Sequence, residues 1–296
     1  MTTIPVQQAI ALAIQQSKDG QFFEAEKICR QILSQDPNQP AALHLLGMLA
    51  HRAGNIPAAL ELVSHAIERD PSTSIYHQDL GIVLADAGRL EEAIQSFTRA
   101  VELEPQLAHS HYNLGYAYEK AGRWSQAAQS YQNAVSLSPE NSLFLHNLGI
   151  ALRLTGRLDE GIEAFQRALA LRPNYVDALL SLGNALRQRG DADAAISAYQ
   201  SAVALAPNSA DAHNNLGNAL QDKGRLAEAI DAYRKAMALR PDMPGTHTNL
   251  GNALWAAGSR DEAIAEFRQA LSLRPGDAEA ERCLANALHS RGQEPA

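Results

Sequence analysis

The residues in this chain that could do chemistry are few, and they are scattered rather than gathered. His109-Ser110-His111 puts two imidazoles too close in sequence to share a helix face, since neighbours on one face stand three or four residues apart. Asp191-Ala192-Asp193 has the form of a site for a metal and a sugar nucleotide. It falls in a turn ahead of a helix, where an aspartate serves as N-cap. Cys29 and Cys283 lie at opposite ends of the chain and offer neither a disulfide framework nor a zinc pair. No G-x-x-x-x-G-K-[ST] loop and no G-x-G-x-x-G fingerprint occurs. The recurring polar group is asparagine: Asn113, Asn147, Asn184, Asn214, Asn215, Asn218, Asn249, Asn252 and Asn286. Each amide offers two donors and an acceptor. Asparagine is a mediocre helix former, so its recurrence inside helical sequence needs a reason. A ladder of such amides at one height could grip the backbone of an extended peptide without reading its side chains. The competing explanation is that they bond the neighbouring repeat and order the stack.

Those positions are set by a 34-residue period. Pro37, Pro71, Pro105, Pro139, Pro173, Pro207, Pro241 and Pro275 step by 34. Gly47 to Gly251 and Gly20 to Gly292 do the same, so 16 of the 19 glycines occupy two phases. Placing phase 1 at residue 6 gives units 6–39, 40–73, 74–107, 108–141, 142–175, 176–209, 210–243 and 244–277. A capping helix follows over 278–291. Each unit reads as helix A, phases 2 to 14, and helix B, phases 17 to 30. The phase-15 glycine makes a left-handed turn between them, and the phase-32 proline stops helix B. Acidic pairs such as Glu91-Glu92 and Asp159-Glu160 face the positive end of the helix B dipole.

Glycine at phase 8 lies inside helix A, where it costs about 1 kcal/mol against alanine. The expected gain is close approach of helix B at its small phase-20 residue. Phase 27 is alanine and seats the next unit. Phase 7 is leucine, and phase 24 is mostly aromatic (Phe97, Tyr131, Phe165, Tyr199, Tyr233, Phe267). Alternating small and large residues at fixed phases describe one core built by stacking, a single solenoid over 1–296. In the last helix Leu284, Ala285 and Leu288 are expected inward, with a polar outer side. The first unit departs from the pattern at Ala13, Gln16 and Ile32.

The series Leu80-Gly81-x-x-Leu84, Ala93-x-x-x-Phe97, Ala100 and Pro105 resembles the tetratricopeptide repeat over residues 6 to 291. The resemblance implies an all-α, right-handed superhelix with helix A on the concave face, and a non-enzymatic role in binding protein or peptide. It also implies that phases 2, 5, 6, 9, 12 and 13 face the partner. His77, His111, His213 and His247 stand at phase 4, where the family often has tryptophan, and are expected to be packing residues. The concave phases split along the chain. Leu45, Met48, Ile75, Ile82, Tyr112, Tyr116, Leu143, Ile150 and Leu154 make the earlier part apolar; asparagines dominate the later part, with Trp255 alone among them. Arg153 and Arg187 are the main concave cations. The carboxylate clamp of chaperone-binding members is excluded, because phases 2, 5 and 6 carry no lysine or arginine in any of the eight units. Asn113, Asn147, Asn215 and Asn249 at phase 6, each followed by Leu-Gly, are similar to the asparagine ladder of the O-linked N-acetylglucosamine transferases. That resemblance offers an alternative: the substrate-recruiting arm of such a glycosyltransferase, without its catalytic domain.

Composition agrees with a helical scaffold. Apolar residues are 46% but aromatics only 5%, so alanine and leucine dominate. A net charge of −8 argues against a nucleic-acid surface, which needs clustered lysine and arginine. No window is long and apolar enough to span a membrane, and no signal peptide is evident. A cytoplasmic setting, no cofactor, no bound metal and self-association through the uncapped N-terminal units complete the expectations.

Overall fold

The computed structural model describes residues 5–291. Most of the lead-in (Met1 to Ile4), Gly292 of the phase-15 series and the tail to Ala296 lie outside the described residues. The first helices are α1 (Val6–Lys18), α2 (Phe22–Gln35), α3 (Pro40–Arg52), α4 (Ile56–Arg69), α5 (Ser74–Asp86), α6 (Leu90–Leu103), α7 (Ala108–Lys120), α8 (Trp124–Leu137) and α9 (Ser142–Leu154). There follow α10 (Leu158–Leu171), α11 (Val176–Arg189), α12 (Ala192–Leu205), α13 (Ala210–Asp222), α14 (Leu226–Leu239), α15 (Pro244–Ala256), α16 (Arg260–Leu273) and α17 (Ala278–Arg291). Among the described residues there is no strand. The A helices run one residue earlier than expected, typically from phase 1 to phase 13.

The chain divides into two compact units, Met1–Ala151 and Leu152–Ala296, each built the same way. In the first, α3 packs on α4, α5 on α6 and α7 on α8; in the second, α11 packs on α12, α13 on α14 and α15 on α16. In the first unit α2, α4 and α6 then pack on α3, α5 and α7; in the second α10, α12, α14 and α16 pack on α11, α13, α15 and α17. Successive A helices also touch one another (α3 with α5, α5 with α7; α11 with α13, α13 with α15), whereas successive B helices make no comparable approach. Elements that crowd on one side and spread on the other curve the stack. Within each unit, therefore, the A helices line the concave side.

The A–B turn is local chemistry repeated. Gly20, Gly54, Gly88, Gly122, Gly156, Gly190, Gly224 and Gly258 all have φ between +70° and +96°, conformations open to glycine at little cost. The next residue's N–H closes a bond five residues back, as in Arg89 to the Leu84 carbonyl at 2.9 Å. This is the Schellman ending, which satisfies the orphan carbonyls of helix A.

The phase-8 glycines answer to the phase-24 aromatic rather than to phase 20. A Cβ on Gly81 would stand 2.7 Å from the Phe97 ring and on Gly115 2.7 Å from Tyr131, and one on Gly183 would run into the Tyr199 ring. The ring packs against the bare backbone, and the alanines at phases 20 and 27 are fully buried. Phe97, Tyr131, Tyr199, Tyr233 and Phe267 are each almost wholly buried, and complete burial of a side chain of this size contributes about 1.5–3 kcal/mol. Next-unit residues complete the cluster: Leu114 and Ala117 pack against Leu84, Ala93, Ile94 and Phe97.

The end helices depart from expectation. In α17 the buried residues are Ala280 and Ala287, while Ala285 and Leu288 are exposed. Phases 8 and 11 normally face the unit's own helix B, and none follows α17 among the described residues. Leu12 of α1, the phase-7 leucine, is exposed too, with no helix pair before it among the described residues.

Candidate functional site

The polar residues of the A helices join consecutive repeats in a fixed register. Phase 5 of one unit meets phase 6 of the next, and phase 12 meets phase 13. His44 Nε2 is 2.7 Å from Asp79 Oδ2. Asn147 Nδ2 donates to the Tyr112 hydroxyl at 3.1 Å. Asn249 Nδ2 lies 3.4 Å from Asn214 Oδ1. At the next level His51 is 2.8 Å from Asp86, Arg153 reaches Gln188 at 3.4 Å, and Arg187 pairs with Asp222. Each contact spans 35 residues, one repeat plus one position. That spacing is present in the sequence and marks residues that sequence reasoning passes over, His44, His51, Asp86 and Asp222; Asp79, which breaks the phase-6 asparagine series, is held by His44.

In the second unit this register spends much of the asparagine chemistry on the protein itself. Asn214 accepts from Thr246 at 3.1 Å and from Asn249, and donates to Asn215 at 3.3 Å. Asn218 accepts from Asn249 at 3.0 Å and from the Tyr233 hydroxyl at 2.8 Å. Asn184 accepts from the Tyr199 hydroxyl at 2.7 Å. Asn252 is hydrogen-bonded with the Cys283 thiol. Arg187, read from sequence as an available cation, is neutralised by Asp222, a bond that also holds its own basicity high. Trp255 carries the Arg260 guanidinium on its ring, 4.0 Å from the centroid. With Asn252, Phe267, Cys283 and Asn286 it lines a small cavity of about 160 Å³.

In the first unit Asn147 is held by Tyr112, but Asn113, at the same phase one repeat earlier, is not spent. Asn113 makes none of the hydrogen bonds of the register, and it lines a cavity of about 230 Å³ between α5, α6 and α7. Ile82 and Ala85 of α5 and Phe97 of α6 form the apolar part of this cavity; Tyr112 and Tyr116 of α7 and Asp86 complete it. Tyr112 stacks on Phe144 with centroids 4.8 Å apart, which fixes its ring. Tyr116 is 40% exposed, with the Lys120 ammonium 4.9 Å above its ring. Ile75 and Leu143, at concave phases of the same unit, are also exposed, as is Leu154 in the second.

Other motifs resolve into structure. Nε2 of His77, His111, His213 and His247 each faces the carbonyl oxygen of the proline six residues earlier, at 2.9–3.1 Å. A carbonyl only accepts, so Nε2 carries the proton, and each histidine ties helix A to the preceding interrepeat loop. Asp191 occupies the N-cap position of α12 but makes no capping bond; its carboxylate instead pairs with Arg189. Asp193 binds Lys223. Among the described residues no group of histidine, cysteine and carboxylate converges as a metal site. Burial pushes the Cys29 thiol up to about 11, which makes it a core residue rather than a nucleophile. The phenols at phase 24 are raised for the same reason, Tyr199 to about 12, and Tyr131 further by its 2.7 Å bond to Glu119.

Family profiles now decide the identity of the repeat. One described as TPR repeat matches residues 81–122, 183–224 and 217–258. Others described as tetratricopeptide repeat match 17–80, 112–176, 164–197 and 244–287. Together they run from residue 17 to residue 287. The chain belongs to the tetratricopeptide repeat family. No curated protein matches it in sequence. This tetratricopeptide repeat protein is similar in structure to the Cut9–Hcn1 hetero-tetramer of the APC/C, with 22% identity and a TM-score of 0.62 over 90% of this chain. It spans about half of that chain, 52%. MamA is 27% identical with a TM-score of 0.54, covering 57% of this chain and 92% of its own. YrrB, described as a TPR protein with an unusual peptide-binding site, is 24% identical with a TM-score of 0.56, covering 69% of this chain and all of its own. These likenesses carry the fold. Among the described residues no helix is long and apolar enough to cross a membrane.

Proposed function

We propose that this protein is a non-catalytic scaffold that holds an extended segment of a protein partner along the concave helix-A face. The observation that carries the reading is the set of large apolar residues left exposed there. Ile75, Tyr116 and Leu143 of the first unit are all about two-fifths exposed, whereas their neighbours at core phases are buried. Exposed apolar side chains recurring along the A helices of one unit offer an interaction site. Amide groups beside it, Asn113 above all, are placed to bond the backbone of such a segment. In the second unit the same role falls to what the asparagine network leaves over, the second lone pairs and remaining N–H groups of Asn184, Asn215, Asn218, Asn252 and Asn286. The peptide-binding site named for YrrB supports the class of partner.

The test is capture with and without the apolar face. Ile75→Glu combined with Leu143→Glu places charges at exposed positions, so melting should be unchanged while partners captured by the wild type are lost. Identical capture by the variant would contradict the reading. A second reading follows from the Asn-Leu-Gly triplets at Asn113, Asn147, Asn215 and Asn249, namely a substrate-recruiting arm of a glycosyltransferase. Its support is the triplets alone. The gene sequence beyond Ala296 tests it, because a following α/β catalytic domain favours the arm and a stop codon favours the scaffold.

A further inference from the structure

The cavity between α5, α6 and α7 combines three features that together describe one kind of guest. Its walls are apolar, from Ile82, Ala85 and Phe97. Its volume of about 230 Å³ is several times the roughly 30 Å³ share of a water molecule, enough for a long side chain. It also carries a carboxylate, Asp86, whose side chain is 59% exposed. His51 takes one oxygen of that carboxylate at 2.8 Å. An ionised carboxylate has about four lone-pair sites, so capacity remains for a donor arriving from solvent. Tyr116, 40% exposed, stands beside it, with the Lys120 ammonium 4.9 Å from the centroid on one side of its ring.

Apolar walls that end in a carboxylate and an aromatic face match a side chain with an aliphatic stem and a cationic head. Such a chain buries its methylenes and keeps its charge at the mouth. A purely apolar guest would desolvate Asp86 further and bring no donor to the oxygen that His51 does not hold, and an acidic guest would meet like charge. Asn113, unspent by the register of interrepeat bonds, lies in the same lining and can bond the guest's backbone amide. We propose that this cavity is a specificity pocket for a lysine or arginine of the bound segment, with Asp86 pairing its charge. The proposal rests on the reading that an extended segment lies on the helix-A face.

A random linear peptide library displayed on phage, selected on the full chain, tests both and separates them. The selected peptides should share a lysine or arginine. The strongest is then synthesised with that residue and with norleucine in its place, and each is titrated calorimetrically against the wild type and Asp86→Asn. The basic peptide should lose about fivefold in affinity on Asp86→Asn, the scale of a partly exposed ion pair, while the norleucine peptide is unaffected. Asp86→Glu should retain the discrimination, which keeps the test decisive if the asparagine variant is itself less stable for want of its bond to His51. Selected peptides with no shared basic residue, or equal losses by both peptides, would overturn the pocket while leaving peptide binding in place. Failure to select any peptide would overturn both.

Discussion

Asn113 and Asn249 stand at the same phase of two repeats, each followed by Leu-Gly, and the structure puts them to different uses. Asn249 reaches back to Asn214 and Asn218 of the preceding repeat. Asn113 makes no such bond, because the residue one repeat earlier at phase 5 is Gln78, whose side-chain oxygen instead accepts from the Ser110 hydroxyl at 3.1 Å. The difference teaches that a repeated side chain is not a repeated function. What an asparagine does at phase 6 depends on what phase 5 of the previous unit offers it. The two compact units thus repeat the same kind of core and differ in their faces. One presents aromatic and apolar groups with an unspent amide; the other presents amides largely bonded to one another.

The shared core gives the largest expected effect. Gly115→Ala and Gly183→Ala each drive a methyl group into a buried tyrosine ring, and each should lower stability by about 1–3 kcal/mol in spite of alanine's better helix propensity. Gly245, where a methyl group would meet nothing within 4 Å, supplies the contrast. There alanine should stabilise by up to about 1 kcal/mol. Denaturant unfolding of the three variants measures this, and a Gly115→Ala protein as stable as the wild type would break the equivalence of the two cores.

The next effect separates the units by their tyrosines. Tyr131→Phe removes a bond to the Glu119 carboxylate and should cost about 1.5–3 kcal/mol, whereas Tyr233→Phe removes neutral bonds to Asn218 and Gln221 and should cost about 1 kcal/mol. The same phenols set the alkaline limit. Tyr199 is raised to about 12 in the folded chain, above the usual 10 of an exposed phenol. The unfolded chain therefore loses its proton first, so this contribution is whole below pH 10 and is lost as pH rises from 10 towards 12. A melting temperature that falls over this window, with the Tyr199 phenol keeping its proton until the chain unfolds, is the expected result; early ionisation of Tyr199 in the folded protein would contradict it. Smallest is Arg187→Ala. Its pair with Asp222 is two-fifths exposed, so thermal melting should register a loss of no more than about 1 kcal/mol, and a larger loss would show that the register of A helices carries more of the stack than the core does.

Much of this is legible in the sequence, and the boundary falls at a physical place. Backbone breakers and buried volumes obey the 34-residue period by themselves, so Gly88, Pro105, Phe97 and Ala100 announce the turn, the stop and the core. Residues whose partner is another variable residue do not. The phase-8 glycine reads as a match for the small residue at phase 20, but the volume it vacates is filled by the phase-24 ring, a choice only three-dimensional stacking makes. Asn214 and Asn249 read as rungs offered to a ligand, and are bonded to each other across 35 residues. Asp86 draws no notice in the sequence, since a lone aspartate at a helix end is ordinary; its meaning comes from Ile82, Phe97 and Tyr116 arriving around it. Leu288 reads as inward because its phase is inward wherever a helix B follows.

The central claim is that the open amide at Asn113 serves a partner and the bonded amide at Asn249 serves the fold. Asn113→Ala and Asn249→Ala, each measured for melting temperature and for affinity to one selected peptide, test it most directly. Asn113→Ala should weaken the peptide and leave the melting temperature unchanged, while Asn249→Ala should lower the melting temperature and leave the affinity unchanged. The reverse pattern, or equal effects of both substitutions on binding, would contradict the account.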